Sequence, residues 1–237
     1  MLKQTLAILN PKPFYSPRLF PPTLILVLAA VLPAIHIYFG SMAFVQRVFP
    51  QIDSFGASLY MFISMFIWLG LLPLLIVHFV FNEPLSNYGL RLGNWRQGII
   101  STLILLAIIA VFFLYPSSHS IDFRQVYPFD RSAGRSILAF LRFEALRGLL
   151  FYSAWEFFFR GFMLFGLRKY VGDWLAICIQ TIPSCLWHVG LPVGEILASI
   201  PAGIVFGIMA LRMNSIFWVF WLHFLIGVVL DLFIVVF

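Results

Sequence analysis

The sequence is poor in charge. Only 10% of its 237 residues are Asp, Glu, Lys or Arg, while 62% are apolar. A soluble domain runs near a quarter charged and half apolar. With a mean hydropathy of +1.00, an ordinary cytosolic enzyme, a disordered chain and a nucleic-acid binder are excluded. Acid is scarcer than base: nine Asp and Glu stand against fifteen Lys and Arg, a net charge of +6. In a soluble chain that excess would suggest nucleic acid. In so apolar a chain it reads as basic loops on the cytoplasmic face of a membrane. Cysteine is nearly missing. Cys178 and Cys185 lie seven apart in one apolar run, which matches neither CxxC nor a zinc ribbon and is too far along a helix for a disulfide. They read as packing residues. A signal peptide is also lacking, because MLKQTLAILNPKPFYSPRLF offers an apolar stretch of only about five residues before its prolines.

Long apolar runs are what the chain does have. They cover roughly 22–45, 57–81, 98–115, 137–166, 174–188, 194–211 and 215–236. About 20 apolar residues are needed to cross about 30 Å of hydrocarbon. The run 174–188 is short, with room to extend beyond His188. The run 137–166 is long and carries Arg142, Glu144 and Arg147, so it reads as a bent helix or as an interfacial piece followed by a span. The expected fold is therefore all-α: a polytopic bundle of seven to eight transmembrane helices around a polar intramembrane cavity. Residues 1–237 form one membrane domain, with no internal repeat. With the N-terminus cytoplasmic, Lys3, Lys12, Arg18, Arg91, Arg96, Arg168, Lys169 and Arg212 fall inside, against Arg47, Arg124, Arg131 and Arg135 outside. The loop 116–135 is the largest polar stretch.

Ionisable groups inside spans are costly, and each is a functional candidate by default. They are Glu156 and Arg160, His188, His223 and Asp231, with His36 and His78 as outliers that read as structural. At about 1.5 Å per residue, Glu156 lies about 18 Å from Arg168, His188 about 21 Å from Trp174, and His223 about 16 Å from Arg212. One carboxylate and two imidazoles on three helices thus share a depth. Glu195 and Asp231 come out nearer the outer edge. Glu156 and Arg160, four apart, are equally well read as a structural ion pair. Pro183, five before His188, frees a carbonyl and bends its span, and broken helices at depth usually line a cavity. Ala198, Ala202, Gly203 and Gly207 repeat small-xxx-small spacing, for which helix packing is a sufficient account. Glu195 can cap its helix or face His188 across VGLPVG.

Such a trio supports a definite chemistry. A desolvated carboxylate can take a proton from water and aim that water at an amide carbonyl. One neutral histidine can hold the water or donate to the oxyanion, and a second can protonate the leaving amine. Glu with two His is also a zinc ligand set with an open position for water. HExxH is absent, and the metal-free reading ranks first with zinc as its alternative.

WEFFFRGFMLFGL, PSCLWHVGLPVGE and SIPAGIVFGIMALRMNSIFWVFWLHFL, in that order, resemble the CPBP family of intramembrane proteases. These are the CAAX-type prenyl-protein endopeptidases and the bacteriocin-processing or self-immunity (Abi) proteins. The lead-in NEPLSNYGLRLGNWRQG is similar too, so the resemblance covers a core of about residues 83–231. It implies a multi-helical membrane fold and peptide-bond hydrolysis by Glu and His with no required cofactor. In the family's first motif a Glu-Glu pair precedes Arg by four. Glu156 and Arg160 match the second Glu and the Arg, but Trp155 holds the place of the water-activating Glu. His188 matches the second motif, with Ser184 where an aromatic is usual. His223 matches the third, but Gly227 stands where Asn or Asp is usual; Asp231, a turn further, is placed to orient His223 through water.

The leading expectation is an intramembrane endopeptidase of a prokaryotic plasma membrane, acting on a membrane-associated protein or peptide. Glu156 is its base, His188 and His223 hold the water and the oxyanion, and Arg160, Asp231 and Glu195 support them. The rival is a catalytically inactive CPBP-like binding or immunity protein, favoured by Trp155 and Gly227. A small-solute transporter ranks third, since no repeat is present.

Overall fold

The computed structural model describes residues 16–237, so Lys3, Lys12 and the stretch scanned for a signal peptide mostly lie outside the described residues. Among those described there are helices and turns and no strand. Seven long helical rods follow one another: α1 Pro17–Val48, α2 Ser54–Val80, α3 Trp95–Ser118, α4 over 137–171, α5 Asp173–Leu186, α6 Val193–Met213 and α7 Phe217–Val236. Each corresponds to one of the seven apolar runs. Five of them, α1, α2, α3, α6 and α7, are long and apolar enough to cross a bilayer. α4 carries buried charges, and α5 is short. The chain is a multi-pass helical membrane protein.

The outer surface is greasy because it faces no protein. On α3, Leu103, Ile104, Val111 and Phe112 are all more than half exposed, while Thr102 is buried against α7. The apolar run of α3 thus serves lipid more than core, as expected of a span with little side-chain contact within the bundle.

α4 is one continuous rod and is not an interfacial piece plus a span. It contains two π-helical stretches, Arg147–Tyr152 and Phe157–Phe165, on either side of a single α turn, Ser153–Glu156. A π turn takes in an extra residue, which swings the side chains that follow by about 100° relative to α geometry. Adjacent residues 155 and 156 both lie in that α turn and leave it about 100° apart. Here both are buried, at 2% and 0% exposure.

α5 ends at Leu186 and does not extend past His188. Pro183 lies within its last turn, and residues 187–190 form turns before α6 begins at Val193. His188 therefore lies in the connection between helices and not inside a span. Cys178 and Cys185 on α5 are free thiols. α5 packs on α6 through the small residues: Gln180 Nε2 donates to the Gly203 carbonyl at 2.9 Å. The small-xxx-small stripe is thus a packing device.

Two loops are built more firmly than their polarity suggests. In the lead-in, Gly93 has φ +60, and a Cβ there would lie 2.1 Å from the Met213 carbonyl oxygen. That close approach lets Asn94 N–H donate to Met213 (3.0 Å) and Trp218 Nε1 donate to Leu92 (2.8 Å), pinning the lead-in to the α6–α7 turn. The polar stretch after α3 folds into short helices at Ile121–Val126 and Arg131–Arg135. Asp130, fully buried, accepts from Ser54 Oγ (2.7 Å), Ser132 N (2.9 Å) and Ser132 Oγ (2.7 Å). This stretch closes one end of the bundle and points Tyr127 inward.

A Cβ on Gly203 would lie 2.7 Å from Thr181 Cγ2 and 2.8 Å from its Oγ1. Gly203→Ala is expected to cost about 1–3 kcal/mol through overpacking, read as a lower unfolding temperature in detergent. Adding Thr181→Ala should recover most of that loss; an unshifted Gly203→Ala would contradict the close α5–α6 contact.

Candidate active site

α4 and α7 bring the first two predicted residues into contact. Glu156 Oε1 lies 2.6 Å from His223 Nδ1 and accepts from Arg160 Nη1 at 3.1 Å. Because a carboxylate only accepts, Nδ1 carries the proton, and Nε2 is left without a partner among the described residues. The Arg160 guanidinium also lies over the Phe206 ring, 5.2 Å from its centroid. Both readings of the Glu156–Arg160 spacing are thus present at once: an ion pair, and a carboxylate aimed at an imidazole. Glu156 Oε2 and Arg160 Nε are buried without partners among the described residues. Such under-satisfied buried groups are few in native proteins and call for an explanation.

His188 lies on the far side of Trp155. The indole makes edge-on contacts with His188 (5.5 Å between centroids) and with His223 (5.8 Å). His188 Nδ1 donates to the Ser184 carbonyl at 2.8 Å, and its Nε2 faces Glu195 Oε1 at 3.9 Å. Glu195 in turn accepts from the Tyr127 hydroxyl at 2.7 Å. Burial, with the Glu195 charge beside it, pushes the Tyr127 phenol well above its usual range, so it remains a donor. The structure therefore brings the predicted residues together as two carboxylate–imidazole pairs, Glu156–His223 and Glu195–His188, across one indole.

Asp231 is occupied elsewhere. Its Oδ2 accepts from Arg147 Nη1 at 2.7 Å, and Glu144 Oε1 lies 3.6 Å from the same nitrogen. Arg147 is further enclosed by the rings of Tyr127, Phe129, Phe143 and Tyr152, at 5.1–5.8 Å. No direct contact joins Asp231 to His223. That neighbourhood belongs to Tyr152, whose ring meets the His223 ring edge-on at 4.8 Å. A Cβ on Gly227 would lie 2.1 Å from the Tyr152 hydroxyl, so the phenol fills the space that a side chain at 227 would need.

Of the outliers, His36 is buried, lies 3.1 Å from Ser64 Oγ through Nδ1 and stacks on Trp187, whereas His78 is exposed. Among the described residues no group of three His, Cys, Asp or Glu is arranged to hold a metal ion; Glu156, His188 and His223 are split by Trp155. Sequence reasoning did not single out Tyr127 or Tyr152. Tyr127 lies in the polar stretch after α3, where tertiary folding alone reveals its partner. Tyr152 is four before Glu156, a spacing that the π turns make hard to read.

The Arg147 cluster sets one acid too many against its cation. Arg147→Met strands two buried carboxylates and is expected to cost about 3–5 kcal/mol. Glu144→Gln leaves one cation facing one anion and should cost under about 1 kcal/mol by the same reasoning. Thermal unfolding of the two variants in detergent checks the order; equal losses would mean that the charge of Glu144 is as necessary to the cluster as that of Arg147.

No curated protein and no solved structure matches the chain. A family model does. Residues 144–229, a stretch holding Glu156, His188 and His223, match the family described as Type II CAAX prenyl endopeptidase Rce1-like, in agreement with the resemblance that the three motifs carry.

Proposed function

We propose that this protein is an intramembrane endopeptidase of the CAAX type, hydrolysing a peptide bond in a membrane-associated protein or peptide. The observation that carries the reading is the 2.6 Å contact between Glu156 Oε1 and His223 Nδ1. It joins a buried carboxylate on α4 to an imidazole on α7 and leaves Nε2 as a basic nitrogen facing away from the acid. Such pairing holds a histidine in one tautomer and stabilises its cation when it gains a proton. Glu156 is thus the carboxylate that acts through His223, and Arg160 pairs with it at 3.1 Å. His188, with its proton fixed on Nδ1, presents the second basic nitrogen. Water attacks the amide carbonyl near these groups, and the proton it loses is returned to the leaving amine.

The whole chain, 1–237, serves as one membrane domain with 83–231 as its core. All seven rods cross the membrane or enter it, α4 and α5 included: the buried charges of α4 meet opposite charges inside the bundle, and the one charge of α5, Asp173, stands exposed at its start. The excess of Lys and Arg supports a cytoplasmic N-terminus in a prokaryotic plasma membrane. The reaction needs no metal.

One observation favours a second reading, a binding or immunity protein that has lost catalysis. Trp155 stands at the place of the resembling family's first Glu and is packed to 2% exposure. The two readings separate in one experiment. The purified protein in liposomes is incubated with a farnesylated C-terminal tail peptide and with a leader peptide of an exported protein, and the products are weighed by mass spectrometry. The protease reading expects two fragments from at least one peptide. It expects His223→Ala or Glu156→Gln to slow cleavage by about 10²–10⁴-fold, and a chelator to leave the rate unchanged. Tight binding of intact peptides would establish the second reading instead. Loss of activity on chelation, restored by zinc, would overturn the metal-free mechanism.

A further inference from the structure

We infer that Glu195, paired with His188, is the carboxylate that activates the attacking water, delivered from the first turn of α6 to a site whose α4 position is filled by Trp155. This rests on the protease reading above and assigns the step that reading leaves open.

Three observations carry it. The first is tautomer. Because the Ser184 carbonyl can only accept, His188 Nδ1 bears the proton and Nε2 turns a lone pair toward Glu195. Two acceptors, Nε2 and Oε1, therefore face each other at 3.9 Å. That is beyond a direct hydrogen bond and within reach of one bridging water. A water donating one hydrogen to each has both protons committed to the pair and its lone pairs directed away from them, which is the orientation a nucleophile requires. The second is support. The Tyr127 hydroxyl fixes Oε1 at 2.7 Å, so the carboxylate is held on a second side. The third is access. The side chains of Glu195 and His188 are 21% and 13% exposed, whereas Glu156 is fully buried and its Oε1 already serves two donors. Of the two carboxylates, Glu195 is the one partly open at the surface and Glu156 is the closed one.

The step balances without a further reagent. The water oxygen bonds to the scissile carbonyl carbon, its proton passes to the Glu195 carboxylate, and the carbonyl π pair moves onto oxygen. On collapse that pair re-forms the carbonyl and the C–N bond breaks. The nitrogen takes that proton back from the Glu195 carboxyl, giving a carboxylic acid and an amine. The water is thus handled on the Glu195–His188 side of Trp155, while the Glu156–His223 pair lies on the other.

The test uses the full chain in liposomes and whichever peptide the wild type cleaves. Glu195→Gln is expected to lower kcat by about 10²–10⁴-fold, with the unfolding temperature little changed. Formate added to Glu195→Ala should restore the rate at least tenfold, because a free carboxylate can occupy the vacated place, and should do nothing for Glu156→Gln. In H₂¹⁸O, wild type should put one ¹⁸O into the new C-terminus. Glu195→Gln within threefold of wild type overturns the inference and leaves the protease reading standing. So does a loss that tracks unfolding and shows no formate rescue. Should both Glu195 variants fail to fold, Tyr127→Phe decides: a five- to twentyfold fall in kcat at unchanged KM supports the assignment, and an unchanged kcat overturns it. A wild type that cleaves neither peptide ends both readings together.

Discussion

An ionised group costs several kcal/mol to hold in a dry interior unless a partner of opposite sign meets it there, and a partner removed leaves most of that cost behind. That constraint organises this bundle. α4 carries Glu144, Arg147, Glu156 and Arg160, and α7 carries His223 and Asp231, all of them largely withdrawn from solvent. Two contacts tie the helices at separate levels: Arg147 to Asp231 and Glu156 to His223. Sliding α7 past α4 by one turn would break both. Lipid-facing apolar residues cannot set such a register, since one greasy surface is as good as another in hydrocarbon. The charges do it, so the groups that position the site are also those that define the helix pair.

The π stretches of α4 flank the α turn that carries both Trp155 and Glu156. The two side chains leave that turn about 100° apart, and Trp155 touches both imidazole rings while Glu156 reaches His223. The departures from the resembling family's pattern compensate one another locally. Gly227 lacks a side chain, and the Tyr152 hydroxyl occupies that volume. Trp155 lacks a carboxylate, and Glu195 stands opposite the imidazole that would otherwise want one.

Most of the architecture was legible in the sequence, because a bilayer demands long apolar runs and the runs survive as rods almost residue for residue. The boundaries that moved did so for chemical reasons. α5 stops at Leu186, where residues 187–190 turn ahead of α6 with Gly190 at φ +91, so His188 is carried by the connection and not by the rod counted from Trp174. The 137–166 run looked divisible because of Arg142, Glu144 and Arg147. It is continuous because Arg147 finds its acid on α7 and Arg142 lies over the Phe55 ring at 4.0 Å. The site was half legible. Glu156, Arg160 and His223 follow from charge in an apolar run, and Glu195 facing His188 across the short loop was open to reading. The pairing of Asp231 with Arg147 was not, since nothing in one dimension says which of two nearby cations an acid will choose. Tyr127 was out of reach for the same reason.

A family match over part of a chain speaks to ancestry and fold more than to chemistry, which resides in the site. Here the site itself supplies the stronger argument. The site holds two imidazoles in defined tautomers. Both are so held: His223 Nδ1 by a carboxylate at 2.6 Å and His188 Nδ1 by a carbonyl at 2.8 Å. In each case the unprotonated Nε2 is the nitrogen left for other work. A merely structural histidine gains nothing from a presented lone pair, and the bundle pays for each with polar groups that an apolar residue would make unnecessary. His36 is the internal contrast: it lies against Ser64 and stacks on Trp187, with no carboxylate partner. The difference between that ring and the two around Trp155 is that a serine hydroxyl can donate or accept, whereas a carboxylate and a carbonyl fix Nδ1 as the donor.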